Sequence, residues 1–292
     1  MCDEDTVIEG NSYLAQESKM GRRDFNKLAV GAAAILMLPP VANALEVVGH
    51  DVMVNTPDGD ADCYFVHPAK GKHPGVIIWP DILGLRPAFR LMGERLAKSG
   101  YSVLVVNPYY RSARSPVIEP GASFQDAETR NMVMPYYSAL SAETNVTDAK
   151  AYVAYLDAQN AVDVKRKIGT TGYCMGGPMV MRTAAALPER IGAGGSFHGS
   201  GLVTNDAESP HLLIKNMQAD LLIAVAANDD ARAPNDKEVL RKTFAKYGLK
   251  AEIEVYEGAM HGWCPPDSRV YHEKQAEQAW ARLLHIFENA LG

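Results

Sequence analysis

The 292-residue sequence predicts an α/β fold, in which helices cover both faces of a mostly parallel sheet. Short uninterrupted apolar runs, typical of strands buried on both faces, occur at 75–79, 102–106 and 221–226. Segments in which apolar residues recur at every third or fourth position, such as 87–98, separate runs of this kind and predict helices. Strands that alternate with helices favour parallel pairing, because a crossover helix returns the chain to the same edge of the sheet.

The chain opens with a predicted hairpin and then alternates between strands and helices. Extended runs at 47–54 and 61–66 flank 57–60, whose Pro, Asp and Gly residues are typical of a turn. The elements expected after it are strand 75–79, helix 87–98, strand 102–106, helix 145–158, strand 167–171, helix 178–187, strands 192–197 and 221–226, helix 235–246, strand 250–256 and helix 270–290. Such sheets bind ligands beyond the carboxyl ends of the strands, so functional residues are expected there.

Composition and charge exclude several classes of protein. Hydrophobic residues make up 47% of the chain, which suits one large globular domain. The net charge is -6 and no basic stripe occurs, so no nucleic acid is expected as a partner. The sequence has no zinc-like Cys/His spacing and neither a Walker nor a dinucleotide-binding glycine pattern, so no metal or cofactor is expected.

Residues 1–44 have the order of a twin-arginine signal peptide. The pair Arg22-Arg23 precedes an apolar stretch at 28–38, and Ala42-Asn43-Ala44 offers a cleavage site. The stretch is shorter than the roughly 20 residues that span a bilayer, so no stable membrane anchor is expected after cleavage. An amphipathic first helix or an uncleaved anchor is the alternative.

Export by the twin-arginine machinery would place residues 45–292 in the periplasm or outside the cell. That compartment is oxidising, and this part of the chain contains Cys63, Cys174 and Cys264. An odd number leaves at least one thiol free unless chains pair. A bond between Cys63 and Cys264 stays open, and the default expectation is that no disulfide forms.

The stretch 109–140 interrupts the alternation of strands and helices. It looks irregular, with prolines at 116 and 120. Loops of this length are usually functional or disordered. We expect a lid inserted over the site, and a plain surface insertion is the alternative.

The strand at 167–171 leads into Gly172-Tyr173-Cys174-Met175-Gly176, and the helix at 178–187 follows. Strand, tight glycine turn and helix are the setting of a nucleophile elbow, G-x-S-x-G, here with cysteine in place of serine. The amide groups at the start of the following helix favour an anion, which suits a catalytic thiolate at Cys174. The alternative is a small buried residue in a glycine-rich turn.

A hydrolase with such an elbow carries its acid and then its base further along the chain. Asp229 and Asp230 follow the strand at 221–226, and His261 follows the last strand. His261 would take the thiol proton and return it to the leaving group, and an aspartate behind the imidazole would fix its tautomer. Asp229 is favoured because it is the first carboxylate beyond the strand, and Asp230 stays open as the alternative.

The same chemistry needs hydrogen-bond donors for an oxyanion. We expect the backbone N–H of Met175, one residue past the cysteine, and that of Ile82, in the loop after the strand at 75–79. His198 also follows a strand. It is expected to be a wall of the pocket or a core histidine rather than the base.

The chain resembles the dienelactone hydrolase family of α/β-hydrolases over nearly all of residues 45–292. The motifs that carry the resemblance are Gly172-Tyr173-Cys174-Met175-Gly176-Gly177, Asp81-Ile82-Leu83-Gly84-Leu85, and His261-Gly262-Trp263 with Pro265-Pro266-Asp267. The resemblance implies an α/β-hydrolase fold and a Cys-His-Asp triad. Such a triad cleaves small carboxylic esters or lactones through a thioester acyl-enzyme, without a metal or cofactor.

The resemblance also implies roles for residues around the thiol. Asp81 matches a glutamate that holds the resting thiol in the family, and the alternative is that it caps the following turn. Tyr173, beside the cysteine, is expected in the pocket. Arg111 and, more weakly, Arg269 lie near the places of arginines that grip a substrate carboxylate.

Two other functions stay open. The same triad could serve acyl transfer or peptide hydrolysis, and acceptance of an acyl group by an added alcohol or amine would separate transfer from hydrolysis. A non-catalytic binding protein on a retained hydrolase fold would need no reactive thiolate.

Overall fold

The computed structural model of the chain describes residues 4–17 and 37–292. The twin-arginine motif at 21–27 and most of the apolar stretch at 28–38 lie outside the described residues. The structure therefore does not test the signal peptide predicted there. The predicted cleavage site at 42–44 is described, and it directly precedes the first strand of the sheet.

Eight strands of the described residues form one sheet in the order β1-β2-β4-β3-β5-β6-β7-β8. Their bounds are β1 Val47–Thr56, β2 Gly59–Pro68, β3 Gly75–Trp79, β4 Ser102–Val106, β5 Ile168–Tyr173, β6 Ile191–Phe197, β7 Asp220–Ala226 and β8 Ala251–Tyr256. Strand β2 pairs antiparallel with both β1 and β4, and every other neighbouring pair is parallel. The predicted mostly parallel sheet is confirmed.

Helices lie on both faces of this sheet. The helices of the described residues are α1 Glu4–Glu17, α2 Pro87–Lys98, α3 Ala127–Ser138, α4 Ala142–Asp157, α5 Gly176–Ala186, α6 Ala227–Arg232, α7 Asp236–Lys246 and α8 Glu273–Ala290. A 3₁₀ segment, Pro210–Asn216, precedes β7. Among the helices that the structure describes, none combines the length and the apolar character needed to cross a bilayer.

Alternate residues of the central strands face two separate cores, one on each side of the sheet. On β3, Ile77 belongs to the first core and Ile78 to the second. Helices α4 and α5 cover the first core, and α2 and α8 cover the second. Burial on both faces explains why the strands read as continuous apolar runs. Complete burial of one side chain, such as Leu283 of α8, contributes about 2 kcal/mol.

Sequence signals set the first residues of individual helices. Pro87 occupies the first turn of α2, where its missing N–H costs no hydrogen bond. At α4, the Thr144 N–H donates to the Ser141 hydroxyl and the Ser141 N–H donates to the Thr144 hydroxyl, which forms a capping box. This box starts α4 earlier than the predicted start at 145.

Three helices correct the assignment made from the sequence. The end of the stretch expected to be irregular, 109–140, forms α3, which contains Pro135. Helix α6 has only six residues, too few for apolar periodicity to reveal it. Helix α1 lies within residues 1–44, which were predicted to be a signal peptide and not part of the fold.

Close backbone approaches shape the turn at Cys174. Cys174 has a φ of 54°, which lies in the left-handed region. This conformation is unfavourable for any residue that carries a side chain. A Cβ added at Gly172 would lie 2.1 Å from the carbonyl oxygen of Gly176, and one added at Gly176 would lie 2.4 Å from that of Trp79. Glycine is therefore required on both sides of the cysteine, which explains the spacing of the motif.

Gly172→Ala is expected to lower the free energy of unfolding by about 3 kcal/mol or more, because the added methyl group meets a backbone oxygen that cannot move aside. Chemical denaturation measures this loss. Gly248→Ala is the control, since Gly248 has φ of 67° but nothing within 4 Å of an added Cβ. That variant should lose only the conformational cost of about 1 kcal/mol. Equal losses in the two variants would contradict a steric role for Gly172.

Candidate active site

The residues predicted to be catalytic meet at the carboxyl edge of the sheet. Cys174 directly follows β5, Asp229 lies in α6 after β7, and His261 follows β8. These strands are parallel, so their carboxyl ends share one edge and residues far apart in the sequence come together. Cys174 and His261 are only 3% and 8% exposed.

The imidazole of His261 is held by Asp229. Its Nδ1–H donates to Asp229 Oδ2 over 2.8 Å, and the backbone N–H of His261 donates to Asn228 Oδ1 over 2.8 Å. Asp230, the alternative acid, instead forms an ion pair with Lys237 at 2.5 Å. Of the two neighbouring aspartates, Asp229 is therefore the one that contacts the imidazole.

On its other side, His261 interacts with the thiol. A side-chain hydrogen bond joins His261 to Cys174. Burial alone would lower the pKa of His261, but the negative charges of Asp229 and of an ionised Cys174 outweigh burial and raise this pKa to about 10. The imidazole therefore holds its proton through neutral pH, which favours an anion at Cys174.

His198 braces the elbow from the end of β6. Its Nδ1 accepts a hydrogen bond from the Cys174 backbone N–H over 3.1 Å, so a neutral ring carries its proton on Nε2. Burial, reinforced by the nearby charge of His261, lowers the pKa of His198 well below its ordinary value. The neutral ring packs edge-on against His261, with ring centroids 5.0 Å apart.

Asp81 forms an ion pair with Arg86, a contact that the sequence analysis did not predict. Arg86 Nη1 and Nη2 donate to the two Asp81 carboxylate oxygens over 2.6 and 2.9 Å, and Arg86 also pairs with Asp267. Asp81 accepts the Leu83 N–H over 2.9 Å, so it caps the following turn. Burial raises the pKa of Asp81, and Arg86 opposes that shift.

Two cavities open beside Cys174. The first, here the imidazole cavity, has a volume of about 80 Å³, and its walls include Cys174, Asp81, His198, His261, Arg269 and Phe124. The second, here the α5 cavity, has a volume of about 310 Å³, and its walls include Cys174, Ile82, Met175, Met179, Arg182 and Tyr137. Segment 109–140 thus forms part of the wall of both cavities.

Met175 and Ile82 lie together beside Cys174 in the α5 cavity. In the part of the chain that the structure describes, neither of their backbone N–H groups donates to another backbone carbonyl. The Tyr109 hydroxyl donates to the Ile82 carbonyl over 2.9 Å and lies 3.2 Å from Met175 Sδ, so it ties the two loops together. Both residues therefore line the cavity beside the thiol without a backbone acceptor for their N–H groups among the described residues.

The two arginines expected to grip a substrate carboxylate are already paired. Arg111 donates to Asp58 and Asp148, and it lines neither cavity. Arg269 lines the imidazole cavity, but its two Nη atoms donate to Asp126 over 3.0 and 2.8 Å. Arg111 was expected to bind a substrate carboxylate near the thiol, and this expectation is wrong. Asp58, in the turn between β1 and β2, and Asp148, in α4, hold its guanidinium away from the cavities.

Tyr173 also lies elsewhere than expected. It belongs to the second core, whereas Cys174 belongs to the first. Its ring stacks on Phe197, with centroids 4.9 Å apart. Successive residues of a strand face opposite sides of the sheet, so the residue beside the cysteine points away from the pocket.

The other two described cysteines are buried free thiols. Cys63 belongs to the first core and Cys264 to the second, on opposite sides of the sheet, so the two do not pair. Burial raises the pKa of both thiols well above the ordinary value. Neither is therefore expected to compete with Cys174 for an electrophile.

Helix α1 contributes to the site, and no sequence pattern predicted this contribution. The Glu9 carboxylate accepts hydrogen bonds from Asn228 Nδ2 over 2.6 Å and from Arg232 Nη2 over 2.7 Å. Gly10 lines the imidazole cavity. Asn228 accepts a hydrogen bond from the His261 backbone N–H. The sequence analysis assigned it no role, and the only signal for it was its position next to Asp229.

Solved structures of other proteins share this fold. A solved structure from Klebsiella pneumoniae, provisionally assigned as a dienelactone hydrolase, matches with a TM-score of 0.72 at 22% identity and covers 83% of this chain and 99% of that chain. A dienelactone hydrolase-like promiscuous phosphotriesterase from metagenomic libraries matches with a TM-score of 0.68 at 20% identity, over 84% of this chain and 99% of that chain. The fold is that of the α/β-hydrolases.

Sequence comparison narrows the class further. The profile of the Dienelactone hydrolase family matches residues 61–291. A protein of Synechocystis sp., provisionally named carboxymethylenebutenolidase, is 30% identical over 233 residues, which are 78% of this chain and 91% of that protein. The chain belongs to the dienelactone hydrolase family.

Cys174 is expected to react with iodoacetamide at neutral pH, because protonated His261 stabilises its thiolate. His261→Ala should slow this alkylation at pH 7 by at least about tenfold, and Asp229→Asn should slow it in the same direction. Mass spectrometry of Cys174-containing peptides against time measures the rate.

Asp230→Asn is the matched control, since Asp230 pairs with Lys237 away from the imidazole. Its alkylation rate should stay within about twofold of the unaltered protein. A larger effect of Asp230→Asn than of Asp229→Asn would contradict the pairing seen in the structure.

Proposed function

We propose that the protein hydrolyses small carboxylic esters or lactones, with Cys174 as nucleophile, His261 as acid and base, and Asp229 as the carboxylate behind the imidazole. The observation that carries this proposal is the continuous hydrogen-bonded chain from Asp229 through His261 to Cys174. Family membership and the names of the relatives support the same class of reaction.

In the first half of the reaction, the Cys174 thiolate, paired with protonated His261, attacks the carbonyl carbon. The carbonyl electrons move to the oxygen, which becomes an oxyanion. The N–H groups of Met175 and Ile82 donate to this oxyanion, where their fixed positions cost no reorganisation. The bond to the alcohol oxygen then breaks, that oxygen takes the proton from His261, and a thioester remains on Cys174.

In the second half, water attacks the thioester carbon and gives a proton to His261. The carbon–sulfur bond breaks, the carboxylic acid leaves, and sulfur is again paired with the protonated imidazole. A lactone gives a single hydroxy acid, because its alcohol and acyl halves are joined. Asp229 keeps the imidazole oriented and stabilises its cationic form through both halves.

The two cavities fit the two halves of a substrate. His261, which gives its proton to the leaving alcohol, lines the imidazole cavity of about 80 Å³. The proposed oxyanion donors line the α5 cavity of about 310 Å³. A small alcohol group would therefore occupy the imidazole cavity and the acyl group the α5 cavity.

Residues 45–292 are expected to turn over p-nitrophenyl acetate and a small unsaturated lactone. Cys174→Ala should lower kcat by at least about a thousandfold, because no other group can form the thioester. Release of p-nitrophenol and loss of lactone absorbance measure the rates. Circular dichroism of the variant shows that it is folded.

Turnover that survives both Cys174→Ala and prior treatment with iodoacetamide would contradict the proposal. Transfer of the acyl group to added methanol in preference to water would point to acyl transfer on the same triad.

We also propose that residues 1–44 direct export by the twin-arginine route, supported by the Arg22-Arg23 motif and the Ala42-Asn43-Ala44 site. The mature chain in the periplasmic fraction should begin at Leu45, as read by mass spectrometry. Replacing both arginines with lysine should leave the uncleaved chain in the cytoplasm. Cleavage would remove Glu9 and Gly10 from the site, since both belong to α1. An uncleaved chain in the periplasm would contradict the proposed processing.

A further inference from the structure

One buried hydroxyl contacts both of the loops that carry the proposed oxyanion donors. Tyr109 lies just beyond β4 and is only 2% exposed. Its hydroxyl donates to the Ile82 carbonyl over 2.9 Å and lies 3.2 Å from Met175 Sδ. Ile82 follows β3 and Met175 follows β5, and β3 lies between β4 and β5 in the sheet. Tyr109 therefore connects the carboxyl ends of three adjacent strands at the edge where Cys174 lies.

The contact at Ile82 holds the peptide plane between Ile82 and Leu83. The carbonyl of this plane accepts from Tyr109, and its N–H, which belongs to Leu83, donates to Asp81 Oδ1 over 2.9 Å. A peptide unit is planar, so hydrogen bonds at both of its polar groups stop it from rotating. The Ile82 N–H belongs to the preceding peptide unit, which is joined to this plane through a single Cα atom. The direction of that N–H therefore depends on the bond from Tyr109.

The Tyr109 hydroxyl is itself held in place by the sheet and by α3. The Tyr109 N–H donates to Asn107 Oδ1 over 2.9 Å, and Asn107 Nδ2 donates over 2.9 Å to Asp62 Oδ1, on β2. The ring packs against Tyr136 of α3, with centroids 5.7 Å apart. A Cβ added at Gly84 would lie only 3.3 Å from the Tyr109 ring. The hydroxyl is thus a fixed point between the two loops.

We propose that Tyr109 is a positioning residue that holds the N–H groups of Ile82 and Met175 at the spacing an oxyanion requires. Tyr109 contacts no reacting atom and acts through these two donors. The inference rests on the proposed hydrolase function and adds to it a residue to which the sequence analysis assigned no role. Removal of one oxyanion donor typically slows an enzyme by about a hundredfold or more, and displacement of a donor costs part of that factor.

The test is Tyr109→Phe, which removes a single oxygen atom and keeps the ring. Both halves of the reaction pass through an oxyanion, so we expect kcat and kcat/KM for p-nitrophenyl acetate to fall by at least about tenfold. Alkylation of Cys174 by iodoacetamide displaces iodide and forms no oxyanion, so its rate should stay within about twofold. Loss of turnover without loss of alkylation separates the oxyanion donors from the thiolate and its imidazolium.

Tyr110→Phe is the matched control. The Tyr110 hydroxyl is also buried, but it contacts the Thr56 hydroxyl and donates to Asp148, and Tyr110 lines neither cavity. This variant should keep kcat/KM within about twofold of the unaltered protein. Equal losses of turnover in the two variants, parallel losses of turnover and alkylation in Tyr109→Phe, or full turnover in Tyr109→Phe would overturn the inference while the hydrolase function stands.

A measurement without hydrolysis separates failure of the two proposals. If the protein cleaves no ester, the proposed function fails, and reversible addition of butanal to Cys174 decides the role of Tyr109. The sulfur bonds to the aldehyde carbon, the carbonyl oxygen becomes an oxyanion at the same donors and then takes a proton from His261, and no group leaves. Protection of Cys174 from iodoacetamide measures the affinity for butanal. Affinity at least about tenfold weaker in Tyr109→Phe supports the inference. Equal affinity, or no protection of the unaltered protein, would overturn it.

Discussion

The tight approach of backbone segments around the elbow is the constraint on which the site depends. Helix α5 begins so close to β3 that the Gly176 position has room for no side chain against the Trp79 carbonyl. The same crowding forces Cys174 into a left-handed conformation at the end of β5. The N–H of Cys174 is shared between the Phe197 carbonyl and His198 Nδ1, which holds this strained geometry in place. Strain of this kind persists only where surrounding contacts determine the conformation.

Two carboxylates near the thiol each have their own cationic partner: Asp229 pairs with His261, and Asp81 pairs with Arg86. Asp229 accepts a hydrogen bond from His261, and its negative charge stabilises the protonated imidazole. Asp81 faces the same cavity but is held by Arg86, so it adds little repulsion to an anion at Cys174. A thiolate can therefore exist in a site that carries several carboxylates. Placement of each counterion, rather than the number of charges, decides which acid ionises.

The fold was largely predictable, and the fine structure of the site was only partly so. Continuous apolar strands and the spacing of the glycines are local signals, and they located the sheet and the turn at Cys174. Local signals also narrowed the acid to two neighbouring aspartates. Which of them contacts His261 depends on the direction of α6, a helix too short for the sequence to show. Arg111 contacts Asp58 and Asp148, and Tyr173 stacks on Phe197. These partners lie far away in the sequence, so no local pattern could predict them.

Pairing also decides what the site can recognise. An arginine bound by two carboxylates, as Arg86 is, must give up both contacts before it can take a third anion. An arginine without such a contact loses nothing of that kind when a ligand arrives, so its contribution to binding is not offset. Arg111 and Arg269, the arginines to which the family resemblance points, are both held by aspartates, so a ligand anion would have to displace these contacts before either arginine could bind it.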